Sequence, residues 1–282
     1  MTGPAEKAVR DYWYCVGPGS SAAAAPVRSR LLGEDIVLRD DRGAIAVEAA
    51  GRSLPVRERY GMIWTTPGEP ARGIVDIPEA LEPDRRAIPC GAVTVNASGL
   101  RIVENFLDMA HFPFVHTDIL GAEPHTEVLH YTTEIRRDVD EVWATNCRFF
   151  QPKAAMSAKD GIMAQYMYRV ATPFVTLLYK TSPGAPDRWD VICLFVQPLE
   201  PDRCRAHAVL FVLDARATDA ELVAFQQMIF VQDRIILENQ RPRLLPLEPR
   251  AEIPTRADAS SIAYRRWLKE KGITYGTAER AA

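Results

Sequence analysis

The chain has 282 residues, of which 47% are hydrophobic and 25% charged, and a formal net charge of −3. That length accommodates one large domain or two modest ones around a sizeable core, and a slightly acidic balance without a basic stripe argues against nucleic acid and anionic membrane as partners. The N-terminal Met1-Thr-Gly-Pro-Ala-Glu-Lys7 has no basic segment leading into an apolar run, and no apolar run approaches the roughly 20 residues that span a bilayer, so the expected compartment is the cytoplasm.

Residues 1 to about 75 read as short strands and turns. Leu31–Leu38 is strand-like, Asp40-Asp-Arg-Gly43 is a turn signal, and Ala44–Glu48 is the return strand of a hairpin. Tyr60–Trp64 is a further strand, closed by Pro67-Gly68, and the Ser-, Ala-, Gly- and Pro-rich stretch from Gly17 to Pro26 reads as loop. Residues 76–92, punctuated by Pro78, Pro83 and Pro89, read as a crossing into a second unit, with Val93–Ser98 as its first strand. From about 126 to 214 the pattern is strand after strand: 126–136, 141–150, 163–171, 174–180, 189–199 and 205–214, rich in Val, Ile, Thr, Tyr and Phe. Thr218-Asp-Ala-Glu221 is a capping box that opens a helix to about residue 240, and 257–271 reads as a last helix carrying Ala263, Trp267 and Leu268. The five cysteines are scattered and odd in number, none in a Cys-x-x-Cys pair, which points to free thiols rather than disulfides or structural zinc.

The chemistry concentrates at residues 104–116, Glu-Asn-Phe-Leu-Asp-Met-Ala-His-Phe-Pro-Phe-Val-His. Two histidines, His111 and His116, lie five residues apart on a segment interrupted by Pro113 and can converge on one metal ion. Asp108 precedes His111 by three residues and on a helix shares its face. For a single histidine the better reading is an ordinary, hydrogen-bonded helix residue; for Asn105, Asp108, His111 and His116 together it is the poorer one.

The pattern Asn-x-x-Asp-x-x-His-x-x-x-x-His resembles the iron-binding segment of Rieske non-haem iron oxygenases. The resemblance implies an α+β chain: a β-rich Rieske-like domain, residues 1–88, followed by a helix-grip catalytic domain of antiparallel sheet plus helices, residues 89–282. It implies mononuclear Fe(2+) in a facial triad of two histidines and a carboxylate, with positions left open for oxygen. The carboxylate is placed at Asp233, because Val231-Gln-Asp-Arg-Ile-Ile-Leu-Glu-Asn-Gln240 is similar to the family's late-helix context; Glu238 is the fallback, and an ion pair of Asp233 with Arg234 or Arg241 is the ordinary alternative. Asp108 is then expected to bridge a metal histidine to a neighbouring cluster rather than to ligate, with Asn105 a nearby polar residue. Positions three, four and seven before Asp233, namely Phe230, Ile229 and Gln226, are expected to line a substrate pocket, the alternative being plain core.

One family feature is missing. The chain passes from Glu48 to Arg59-Tyr-Gly-Met-Ile-Trp64 without the Cys-x-His and Cys-x-x-His loops that bind a [2Fe–2S] cluster, and no histidine precedes His111. No cluster is therefore expected on this chain, and electrons from NADH must arrive through a separate Rieske-containing flavin reductase. Within the family the resemblance is to cluster-less methylxanthine demethylase subunits, strongest at 92–125 and 254–267, and implies oxygen-dependent N-demethylation of 7-methylxanthine to xanthine and formaldehyde. It also implies an oligomeric complex, with a glutathione-transferase-like assembly subunit or another oxygenase subunit as candidate partners. Ring hydroxylation or O-demethylation of another aromatic substrate stays open, as does a structural subunit without catalysis.

Overall fold

In the computed structural model, which describes residues 4–22, 25–153, 160–249 and 251–278, the N-terminal hairpins follow from turn chemistry. After α1 (Pro4–Arg10) come β1 (Tyr14–Pro18), β2 (Val27–Leu31), β3 (Glu34–Asp41), β4 (Ala44–Ala49), β5 (Arg52–Leu54), β6 (Val56–Arg59) and β7 (Met62–Thr65). They form two small sheets, ordered β1-β7-β6 and β2-β3-β4-β5. The expected single strand over 31–38 is instead a hairpin, because Leu32 and Gly33 take positive φ values of 52° and 80° and turn the chain between β2 and β3. The turn at 40–43 is where the sequence places it: Asp41 pairs with Ala44, and the Gly43 amide donates to Asp40 Oδ1 at 2.9 Å. Gly17 and Pro18, expected in a loop, extend β1 through a bulge and pair with Ile63 and Met62. Ala23 and Ala24, from the alanine run, lie outside the described residues.

The larger sheet is antiparallel and seven-stranded, ordered β8-β14-β13-β12-β11-β10-β9. Its members are β8 (Arg86–Val95), β9 (Thr132–Arg136), β10 (Glu141–Gln151), β11 (Ile162–Thr172), β12 (Val175–Ser182), β13 (Ala185–Glu200) and β14 (Arg203–Val212). The reading of 76–92 as crossing is corrected at its end: pairing with β14 starts at Arg86, and Pro89 is tolerated because β8 is an edge strand. The strand expected over 126–136 begins only at Thr132; just before it, Tyr131 turns inward and its hydroxyl donates to Ala257 O at 2.6 Å.

The central strands read as nearly continuous apolar runs because both faces are covered. Val191, Cys193, Phe195, Val209 and Phe211 pack with Trp64 of the three-stranded N-terminal sheet and with Ile77. Their alternates Leu194, Val196, Leu210 and Val212 join the other core, with α2 (Gly99–Leu107), α4 (Asp219–Asn239) and α5 (Ala259–Glu270); the one-turn α3 (Phe112–Val115) follows α2. All five cysteines are buried and free. Among the described residues no helix is long and apolar enough to cross a membrane.

Candidate metal centre

The centre is assembled from the segment after α2 and one face of α4. Ser98 caps α2, its hydroxyl accepting from the Leu100 amide at 3.2 Å. At Gly99 a Cβ would lie 2.9 Å from Val196 Cγ1 and 3.0 Å from Phe174 Cε1, so the helix start presses on the sheet at a contact only glycine permits. The expectation that one helix carries Asp108 and His111 is corrected: α2 ends at Leu107, and Asp108 is extended, with ψ 128°. Its Oδ1 accepts the Ala110 amide at 2.8 Å, a local turn that competes with helix, and Pro113 then starts α3. Gly121 folds back so closely that a Cβ would meet Pro113 N at 2.7 Å. The break leaves His111 and His116 flanking α3, both turned toward α4.

On the other side, the Thr218 and Glu221 capping box starts α4 as expected, with both reciprocal hydrogen bonds formed. Asp233, three turns further on, is buried. His116 Nε2 lies 3.0 Å and His111 Nε2 3.3 Å from Asp233 Oδ1, and one ligand atom from each of the three residues falls within 4.8 Å of the others.

The outward-facing ring nitrogens fix the tautomers. His111 Nδ1 is 2.9 Å from Asp108 Oδ2, and His116 Nδ1 is 2.8 Å from Gln232 Oε1. Both partners are acceptors, so both Nδ1 atoms must donate. Neutral imidazoles then aim two Nε2 lone pairs at a carboxylate oxygen, an arrangement that repels itself unless positive charge sits among the three. The protonation tendencies report the same tension. Burial works to lower the pKa of His111, yet hydrogen bonds to Asp108 and Asp233 prevail and hold it above the usual histidine range. Burial likewise works to raise Asp233, yet His111 and His116 hold it below the usual carboxylate range. A divalent ion would replace the proton, and imidazoles anchored at Nδ1 by a carboxylate and an amide are the arrangement that orients ligands for one. The residues present therefore fit such an ion.

The remaining candidates fall as follows. Phe230, Ile229 and Gln226 all line the cavity that contains the two histidines and Asp233. Asn105, in the last turn of α2, borders this cavity and also an outer groove that Asp108 lines as well. Glu238 is off the site, accepting from the Asn96 amide at 3.0 Å and from Arg234 Nε at 3.0 Å. Arg234 is thus paired with Glu238, and Arg241 Nη1 donates to the Glu238 and Gln240 carbonyls rather than to Asp233.

Sequence reasoning missed Gln232 and a polar wall of the cavity. Tyr166, Tyr168, Gln151, Lys180 and Asp190 line the cavity from the sheet, and Asp214 lines it from just beyond β14. Tyr166 pairs across the ladder with Lys180, and Lys180 with Asp190, giving a polar row across three strands. Burial pushes Lys180 down to about 8 and Asp190 up. The usable signal was Lys180 and Asp190 inside otherwise apolar strands, where a charge at a core-facing position calls for a reason.

Known proteins share this geometry's setting. The profile of the vanillate O-demethylase oxygenase C-terminal domain family matches residues 95–272. A probable methylxanthine N7-demethylase, NdmC, from Pseudomonas sp. (strain TJI-51), is 46% identical over 272 residues, covering 95% of this chain and 96% of that protein. The solved structure of NdmA from Pseudomonas putida CBB5 superposes with a TM-score of 0.73 at 17% identity, covering 99% of this chain and 100% of that one. Dicamba monooxygenase bound to 3,6-dichlorosalicylic acid gives 0.74 at 16% identity, over 94% and 97% of the two chains. At such identities the two structures speak to fold alone.

Proposed function

Because the chain belongs to the Rieske-type non-haem iron oxygenases, through the vanillate O-demethylase oxygenase C-terminal family, we propose that it is the catalytic subunit of a methylxanthine N-demethylase that converts 7-methylxanthine to xanthine and formaldehyde. The chain is read as a cluster-less Rieske-like unit, residues 1–88, and a catalytic unit, residues 89–282, whose first strand reaches back to Arg86. The observation that carries the reading is the convergence of the His111, His116 and Asp233 ligand atoms within 4.8 Å, with each imidazole anchored at Nδ1. Those three residues would hold Fe(2+). With oxygen and two electrons, iron would supply the oxidant for a C–H bond of an N-methyl group, and the resulting hemiaminal releases formaldehyde. The chain's own groups do the rest. Asp108 and Gln232 fix the imidazole tautomers, and Phe230 and Ile229 exclude water and present a flat apolar face to the heterocycle. Gln226 offers an amide to its polar edge.

The 46% identity to a protein named for the N7 reaction supports the substrate. The electron route is argued from residues 1–110, which contain no histidine and so cannot supply the two imidazoles of a Rieske centre. A Rieske-containing flavin reductase using NADH is the proposed donor, within an oligomeric complex. A groove bordered by Asn105, Asp108 and the exposed Ile236, Ile253 and Ile262 brings an outside partner to the carboxylate that holds His111. The test is metal content after anaerobic loading: wild-type protein should bind one iron, and His116→Ala and Asp233→Ala essentially none, with far-ultraviolet circular dichroism unchanged. Full occupancy in both variants would remove the assignment.

A further inference from the structure

Tyr166 and Tyr168 are each 1% exposed, and both line the cavity that holds His111, His116 and Asp233. Two residues apart on β11, they project from the same face of the sheet, with ring centroids 6.2 Å apart and planes only 18° from parallel. Phe112 at 6.4 Å from the Tyr166 ring and Phe106 at 6.1 Å from that of Tyr168 pin both rings against the α2–α3 segment. Neither hydroxyl has a hydrogen-bond partner among the described residues.

That is an expensive arrangement. A buried phenol ordinarily finds an acceptor, and an orphaned one forfeits the hydration it had in the unfolded chain. Two such phenols side by side in one cavity, in a protein whose other fully buried tyrosines, Tyr14 and Tyr264, donate to the Val9 and Pro173 carbonyls, need a shared acceptor from outside the chain. Burial also holds both hydroxyls well above the usual phenol range, so they remain protonated donors across ordinary pH.

We infer that Tyr166 and Tyr168 are specificity-determining residues whose hydroxyls both donate to one carbonyl oxygen of the bound heterocycle and so set which end of the ring system faces the metal centre. The inference rests on the methylxanthine reading above: xanthines are flat purine diones, and their C2 carbonyl oxygen, a strong acceptor with two lone pairs, lies at the end of the six-membered ring away from the imidazole ring that carries the N7 methyl. The two donors on the sheet wall hold the C2 oxygen there and leave the imidazole ring toward α3 and α4. A plain aromatic ring without carbonyls gains nothing from this wall and leaves both donors buried and unpaired, which is how a polar pocket rejects a wrong substrate.

The test compares wild-type protein with Tyr166→Phe, Tyr168→Phe and the double variant by calorimetric titration with 7-methylxanthine and with 7-methylpurine, which has the same ring skeleton and no carbonyl. Each single variant should weaken 7-methylxanthine binding about tenfold and leave 7-methylpurine unchanged, and the double variant should lose the preference for the dione. The thermal midpoint of the ligand-free protein should stay level or rise, since each substitution removes an orphaned polar group. A lowered midpoint with intact affinity, or equal loss for both ligands, would assign the hydroxyls to the fold or to ring packing and overturn the inference. Wild-type binding of 7-methylxanthine with unaltered variants would overturn it while sparing the proposed function. Failure of wild-type protein to bind any methylxanthine would overturn both.

Discussion

Asp108 holds the hydrogen of one metal-facing histidine with one oxygen and a backbone amide of its own turn with the other, 2.9 Å to His111 Nδ1 and 2.8 Å to Ala110 N. It lines the outer groove, while His111 lines the inner cavity. A carboxylate so placed raises the basicity of the imidazole, and its position on the groove makes it the proposed link to a docked partner. Asp108→Asn keeps the acceptor oxygen and removes the charge. The expected outcome is retained iron with turnover reduced about 10- to 100-fold, read as iron content against formaldehyde release; wild-type turnover would remove Asp108 from the electron route. At this scale the sequence was informative where chemistry forces residue type. Two histidines and an aspartate in family spacing were expected to converge because few residue types can ligate a metal, and their ligand atoms do lie within 4.8 Å of one another. Gln232 could not, because a glutamine on a helix has many ordinary uses and only the distance to His116 distinguishes this one. Tyr166 and Tyr168 sit in an alternating strand where tyrosine is commonplace, so only the absence of partners for their hydroxyls marks them.

At the scale of elements, α2 is held at its outer face by buried charge. The Arg101 side chain is fully buried and donates to Glu104 Oε2 at 2.9 Å, Glu252 Oε1 at 2.6 Å and the Pro242 carbonyl at 3.1 Å. Arg265 on α5 closes the ring, reaching Glu104 Oε1 at 2.5 Å and bonding Glu252. The network ties α2 to α5 and to the segment between α4 and α5, and so sets where Asp108 and the histidines emerge. Arg101→Ala strands the buried Glu104 with a single cationic partner, and the expected cost is about 3 kcal/mol, measured by urea unfolding; a loss below about 1 kcal/mol would show that the helix is placed by apolar packing alone. Helix α4 was legible from Thr218 and Glu221, and the strands of the large sheet from their β-branched and aromatic runs. The end of α2 was not, because Asp108 and Met109 carry no breaker of their own; the turn is made by the Asp108 side chain capturing the Ala110 amide. The β2–β3 hairpin was missed for a related reason, since Leu32 in a left-handed conformation is a choice of the turn rather than of the residue.

At the scale of the whole molecule, the small N-terminal sheets and the large sheet are joined by a polar thread as well as by core. Gln197 on β13 donates from Nε2 to Ser29 Oγ at 2.9 Å and to the Arg30 carbonyl at 2.7 Å, and its Oε1 accepts from His207 Nε2 at 3.2 Å. Burial and the neighbouring Arg205 push His207 down to about 3, which keeps it neutral and able to serve that bond. The N-terminal region is thereby bound to the large sheet, and it has no histidine with which to build a Rieske cluster of its own. The chain is accordingly expected to be silent alone, since activating oxygen for one demethylation takes two electrons and a single iron(II) does not furnish both. Formaldehyde and xanthine release from 7-methylxanthine, NADH and oxygen decides the matter, measured with iron-loaded protein and either a flavin reductase bearing a Rieske domain or one lacking it. Sustained turnover with the first and none with the second is the predicted result; repeated turnover with the reductase that has no Rieske centre would contradict it.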